Sequence, residues 1–229
     1  ARCDNPIIPA SNLPRSWGEQ LQYEIRLLGL SLGTANIVTW GHGRFEGQPV
    51  TEYRAWIEPE PLVSALLSIK AQVFAVVPDT SFTPIRSLTR YTFRGDKIEE
   101  IQSRSDNGRK LTAIRAKNGK KSVRSRTFPV PTHDYLSAFL LLRRLPERES
   151  GCMIVYADQR AYTVWFTREG REQLDTPKGK RSFERYLVRY GSDRANKIHS
   201  ARIWMTPGPD RIPYQAKGMS RYSPVVRLK

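Results

Sequence analysis

The sequence predicts an all-β, mainly antiparallel protein: a strongly curved sheet or up-and-down β-barrel-like single domain, with one main helix near residues 133–144. Three observations carry this reading. Segments that alternate polar and apolar residues follow one another along almost the whole chain, separated by short turn sequences. Asn107-Gly108 and Asn118-Gly119 supply the dipeptide that most strongly signals a tight hairpin. A chain of 229 residues built from sequential hairpins hides its sheet edges most readily by curling.

Residues 1–16, with Pro6, Pro9 and Pro14, read as an extended N-terminal arm, and 17–229 as one β-rich domain. Leu21, Tyr23, Ile25 and Leu27 alternate with Gln22, Glu24 and Arg26, and Thr34–Trp40 alternates again. Between them, Gly29 and Gly33 mark a bend, because glycines in curved sheets sit where strands kink or bulge. Leu28, Leu30 and Leu32 are expected to point from this bend into the space the curve encloses, as apolar lining.

Strands follow at Val50–Ile57, Ala71–Val77, Ile85–Arg94, Lys97–Ser105, Leu111–Lys117 and Ser122–Phe128, with two helical turns over Leu62–Ser68 after the Glu58–Pro61 breaker. The stretch PTHDYLSAFLLLRRLP changes period. Tyr135, Leu136, Phe139, Leu140 and Arg143 recur at helical spacing, Asp134 opens the first turn, Arg143 and Arg144 close the last, and Pro146 stops it. Strands resume at Cys152–Tyr156, Ala161–Arg168, Glu184–Tyr190, Lys197–Met205 and Ile212–Lys217, with a final one ending near Leu228. The apolar run Tyr135–Leu142 falls well short of the ~20 residues that a membrane-spanning helix needs.

Charge is the strongest compositional signal: 38 Lys and Arg against 22 Asp and Glu, a formal +16. Such a field favours polyanionic neighbours and says nothing about fold. Its densest part contains Arg109, Lys110, Arg115, Lys117, Lys120, Lys121, Arg124 and Arg126, the candidate binding residues for phosphates or carboxylates. The competing reading is a solvated hairpin face. The five tryptophans, Trp17, Trp40, Trp56, Trp165 and Trp204, are expected mostly in the core.

No nucleophile elbow, metalloprotease helix, Walker loop or dinucleotide fingerprint occurs in the sequence, so no catalytic residue and no cofactor is assigned. His42, His133 and His199 stand apart from one another and read as surface or capping residues. Cys3 and Cys152 form no zinc pattern; counting alone leaves a disulfide and two separate thiols equally open. A carboxylate pair acting on glycans needs no local motif. Asp134, Asp158, Glu169 and Glu172 are the acids that such chemistry would use.

Four stretches, in order, resemble a family of exported bacterial proteins, the domain of unknown function 3108 family. GEQLQYEIRLLGLSLGTANI resembles its opening, with a Gly-Glu start and a Gly-x-x-x-Gly bend. THDYLSAFLLLRRLP resembles its helix, YTVWFTREGREQLDTPKG its paired strands and Thr-Pro-x-Gly turn, and IWMTPGPDRIPYQAKGM its closing segment. Gly29, Gly33, Arg143, Trp204 and Pro213 match the shared pattern. The resemblance implies a curved or barrel-like β protein, exported and mainly periplasmic, with no assigned reaction. The chain begins at Ala1, which fits a leader already removed. Export tips the cysteine question toward a Cys3–Cys152 disulfide.

The resulting expectation is a non-enzymatic periplasmic binding or scaffold protein for a cell-envelope component, either an anionic glycan or a lipid. A glycan-acting enzyme using a carboxylate pair is the first alternative. Nucleic-acid binding through the basic hairpins is the weaker one.

Overall fold

A computed structural model describes residues 3–7, 18–67, 69–143, 149–194, 197–208, 210–220 and 223–229. In chain order the elements are β1 (Gln20–Leu27), β2 (Leu30–Phe45), β3 (Gln48–Pro59), α1 (Pro61–Leu67), β4 (Lys70–Pro78), β5 (Arg86–Phe93), β6 (Asp96–Ser105), β7 (Lys110–Lys117), β8 (Lys120–Thr127) and β9 (Thr132–His133). Then come α2 (Tyr135–Arg143), β10 (Ser150–Ala157), β11 (Arg160–Thr176), β12 (Gly179–Ser192), β13 (Ile198–Met205), β14 (Pro213–Gly218) and β15 (Val225–Leu228). Among the described residues, all fifteen strands join one sheet, in the order 8-7-6-5-4-3-2-1-15-14-13-12-11-10-9. Every pairing is antiparallel except β9 with β10. β1 and β15 meet in the middle of that order, so the first and last strands join at the centre of the sheet.

The sheet curls around α2. Asp134 caps this helix: its Oδ1 accepts the amides of Leu136 at 2.8 Å and Ser137 at 3.0 Å, while the Asp134 amide donates back to Ser137 Oγ at 3.0 Å. His133, expected at the start of the helix, instead forms β9 with Thr132. Leu136, Ala138, Leu140 and Leu141 are buried against Ala75 and Val77 of β4, Met153 and Val155 of β10, and Tyr186 and Val188 of β12. Full burial of each such leucine contributes roughly 1.5–3 kcal/mol.

β10 shows how the curl closes. Met153 and Val155 face α2, while Cys152, Ile154 and Tyr156 point the other way and pack against Leu111 and Ala113 of β7. Seven consecutive residues of this strand, Gly151–Ala157, are buried, because the β6–β8 end of the sheet rolls over it. This explains the unbroken apolar run Cys152–Tyr156, the signature of a strand covered on both faces. Side chains rather than a strand ladder make the closure. The β10–β11 turn, Asp158-Gln159, enters the concave face of β5–β8, where the Gln159 amide donates to buried Glu100 at 2.8 Å and Gln159 Nε2 to Ser122 Oγ at 2.8 Å.

Cys3 and Cys152 form a disulfide, with Cα atoms 5.6 Å apart. It holds the described part of the N-terminal arm against β10, where the Ile7 amide donates to the Cys152 carbonyl at 2.9 Å. A bridge closing a loop this long contributes roughly 4–5 kcal/mol in the simple chain-entropy account. Residues 8–17 of the predicted arm, Trp17 included, lie outside the described residues.

The leucine bend departs from expectation. Leu27 pairs directly with Leu30, so Leu28-Gly29 is a two-residue hairpin turn, with φ of 51° and 85°. The bulge falls later, where Leu32 is the extra residue between the Ser31 and Gly33 pairs. Leu28 is 71% exposed and Leu30 72%, and Leu32 is half-buried. Leu28 and Leu30 therefore do not line the enclosed space: a hairpin tip projects beyond the sheet, whereas a mid-strand bend would have turned them inward. Trp40 likewise is 58% exposed, beneath the guanidinium of Arg54 at 3.8 Å.

Candidate functional site

The inner faces of β2, β3 and β4 carry a checkerboard of small and branched residues. Register places Ala35 opposite Ile57, Ile37 opposite Ala55, Ala55 opposite Val73 and Ile57 opposite Ala71. Alanine is a weak strand former whose methyl group leaves space above the sheet. Three alanines on one inner patch leave the space beneath α2 unfilled between the larger Ile37, Ile57 and Val73, and a cavity of about 260 Å³ remains. Tyr135, Leu136 and Phe139 of α2 form its opposite wall. Phe139 is braced edge-on by Tyr23, with centroids 6.1 Å apart. Of its lining residues, Ile57 and Ala71 lie nearest the segment carrying α1, which links β3 to β4. Asn36, the one amide at its edge, already accepts from Gln22 at 3.1 Å. The site is thus apolar, partly enclosed and preformed.

A second hollow, about 500 Å³, lies on the opposite face of β4–β6, bordered by Lys70, Arg90, Lys97 and Glu99. Arg90 and Glu99 pair across it at 2.6 Å.

The basic stretch serves two purposes. Arg115 pairs with Asp158 at 2.7 Å, Arg124 donates to the Gln159 carbonyl at 3.3 Å, and Arg126 pairs with Asp193. These three clasp β7 and β8 to the β10–β11 turn and the end of β12. Arg109 holds Asp106 at 2.9 Å, and Lys117 holds Asp96 at 2.6 Å, each within its own end of the sheet. Lys110, Lys120 and Lys121 stay exposed, with no ion pair among the described residues.

The four acids are similarly engaged. Asp134 caps α2 and Asp158 belongs to the clasp. Glu169 lies between Arg185 at 2.8 Å and Arg202 at 2.9 Å. Glu172 accepts from Trp204 Nε1 at 2.9 Å and Arg185 at 2.8 Å, and these donors, Trp204 first, hold its carboxyl below the usual range. A general acid needs the reverse shift. His42 is within β2, with Nδ1 2.9 Å from Thr51 Oγ1, and His199 stacks on Tyr190. His133, expected near the surface, is 2% exposed. Among the described residues no cluster of three or more histidines, cysteines or acids could hold a metal ion, and no helix is long and apolar enough to cross a membrane.

The cavity residues Ala35, Ala55 and Ala71 were missed by sequence reasoning. Their signal was there: alanines at the inward phase of three consecutive predicted strands. What it lacked was the register that sets them side by side.

A curled antiparallel sheet around one helix defines a β-barrel-like class, and a solved structure shares it. The β-barrel-like protein of domain of unknown function DUF1849 from Brucella abortus superposes with a TM-score of 0.60 at 9% identity, over 92% of this chain and 94% of that one. The hypothetical lipoprotein YmcC from Escherichia coli aligns over 95% of this chain and 90% of its own, with a TM-score of 0.35 and 10% identity. Within this class the chain belongs to the family described as protein of unknown function (DUF3108), whose model matches residues 22–227. No curated protein matches it.

Proposed function

We propose that this is a non-enzymatic binding protein of the periplasm that takes one acyl chain of an anionic envelope lipid into the cavity between α2 and β2–β4. The observation carrying the reading is the cavity itself: apolar, and given its room by the small side chains of Ala35, Ala55 and Ala71. At about 260 Å³ it is smaller than most small-molecule sites, which run from about 300 to 1,000 Å³. That fits one chain of a lipid rather than the whole molecule, and it offers a glycan no converging polar groups. The Cys3–Cys152 bond fits an oxidising compartment, and the net charge of +16 favours an anionic ligand.

The test is titration of 11-(dansylamino)undecanoic acid into the purified protein, with Ala71→Phe as the variant that fills the cavity. Saturable binding is expected, weakened by roughly tenfold or more in the variant with an unchanged melting temperature. Absence of saturable binding, or equal binding by the filled variant, overturns the reading.

A further inference from the structure

The two ends of the sheet are chemically unlike. Antiparallel order places the β1–β2, β3–β4, β5–β6, β12–β13 and β14–β15 connections at one end, together with the polar β7–β8 and β10–β11 turns. That end carries Leu28 and Leu30, Leu62, Phe93, Met219 and Ile198, all exposed. The opposite end turns through Glu46-Gly47, Asp106–Gly108 and Pro177-Lys178, and its described turns hold no large exposed apolar side chain.

Leu28 is the most telling of these residues. A two-residue turn with both φ angles positive favours Asn, Asp or Gly, and Asn118-Gly119 supplies that choice elsewhere in this protein. A leucine there is conformationally strained and also leaves its side chain in water. Neither folding nor solubility is served, and a strained, exposed residue is a pointer to function. Lys70, Arg94, Lys97 and Lys197 are exposed at the same end.

We propose that this end docks onto an anionic lipid bilayer, with the leucine-bearing tips below the headgroups and the cations at the phosphates. A second copy of the chain is a poorer occupant, because apposing two such ends brings like charges together in a protein of net charge +16. Ala35, Ile57 and Ala71 of the cavity lining also lie toward this end of their strands. The inference uses residues outside the cavity, and it stands or falls independently of the acyl-chain reading.

The experiment is co-sedimentation with large unilamellar vesicles of phosphatidylglycerol and phosphatidylethanolamine, comparing the wild type with Leu28→Asn/Leu30→Gln. Vesicle binding is expected to fall at least roughly tenfold in the double variant, since two apolar insertions are lost. The melting temperature is expected to hold or rise, since Asn suits the turn, and this separates lost docking from lost folding. Wild-type binding is expected to weaken when phosphatidylcholine replaces the anionic lipid. Ala71→Phe is expected to retain vesicle binding even where it loses the fatty acid. Equal binding by the double variant, no vesicle binding by the wild type, or a wild-type dimer that the double variant dissociates would each overturn the proposal, the last in favour of self-association.

Discussion

Arg143, in the last turn of α2, grips both carboxylate oxygens of Glu19, the residue before β1, across 124 positions of sequence; its Nη2 lies 2.7 Å from Glu19 Oε1. The guanidinium is almost wholly buried and also reaches the Asp210 carbonyl at 3.3 Å. The pair therefore ties the helix inside the curl to the strand at its centre and to the loop before β14. It also joins two features of the family resemblance, the Gly-Glu start and the arginine that ends the helix.

Breaking this pair from one side is the costly change, because the other charge stays behind in a poorly solvated place. Arg143→Ala is expected to lose about 3 kcal/mol of unfolding free energy, read by urea denaturation, and Arg143→Lys less. A lysine keeps the charge and gives up the two-pronged geometry. An Arg143→Ala variant as stable as the wild type would show that packing alone fixes α2.

Gly33 tests the bulge. Its φ is +145°, and a Cβ there would stand 2.3 Å from the Glu58 carbonyl oxygen and 2.7 Å from the Pro59 Cα. Both are backbone atoms of β3, so no side chain can swing aside. Gly33→Ala is expected to cost about 1–3 kcal/mol, lowering the melting temperature by roughly 2–4 °C per kcal/mol in a chain of this size. Gly29→Ala meets no neighbouring atom and bears only the backbone strain, so it is expected to cost less.

His133 sets a pH dependence. Burial first, and then the Arg104 guanidinium, push its imidazole down to about 3. The unfolded chain takes up this proton near pH 6.5 and the folded chain does not, so the contribution is complete above about 6.5. It is lost as pH falls from there toward 3, at up to about 1.4 kcal/mol per pH unit. Glu100, raised chiefly by burial, works in the opposite sense in acid. His133→Gln is expected to flatten the fall in urea stability between pH 7 and pH 4. An unchanged slope would assign the acid sensitivity to other groups.

How far the sequence reached can be judged on particular elements. The period-two segments and Asn118-Gly119 marked the β5–β8 hairpins. The 3.6-residue spacing from Tyr135 marked α2, although its cap fell on Asp134 and Thr132-His133 went to the sheet. The unbroken run Cys152–Tyr156 announced a strand without saying what covered its second face. These features are local, since pattern and turn chemistry act within about ten residues of chain.

The rest depended on which distant segments the curl brings together. Arg115 and Arg126 look like free surface charge until Asp158 and Asp193 arrive from strands far along the chain. Ala35, Ala55 and Ala71 make a cavity only because the register sets them side by side under α2. Leu28 and Leu30 point to water because pairing of Leu27 with Leu30 makes a hairpin tip where the glycine spacing alone had read as a bend. Local sequence determined the strands, the helix and the charge; the register of a curled sheet, a property of pairs far apart in the chain, decided which side chains meet and which are left to solvent.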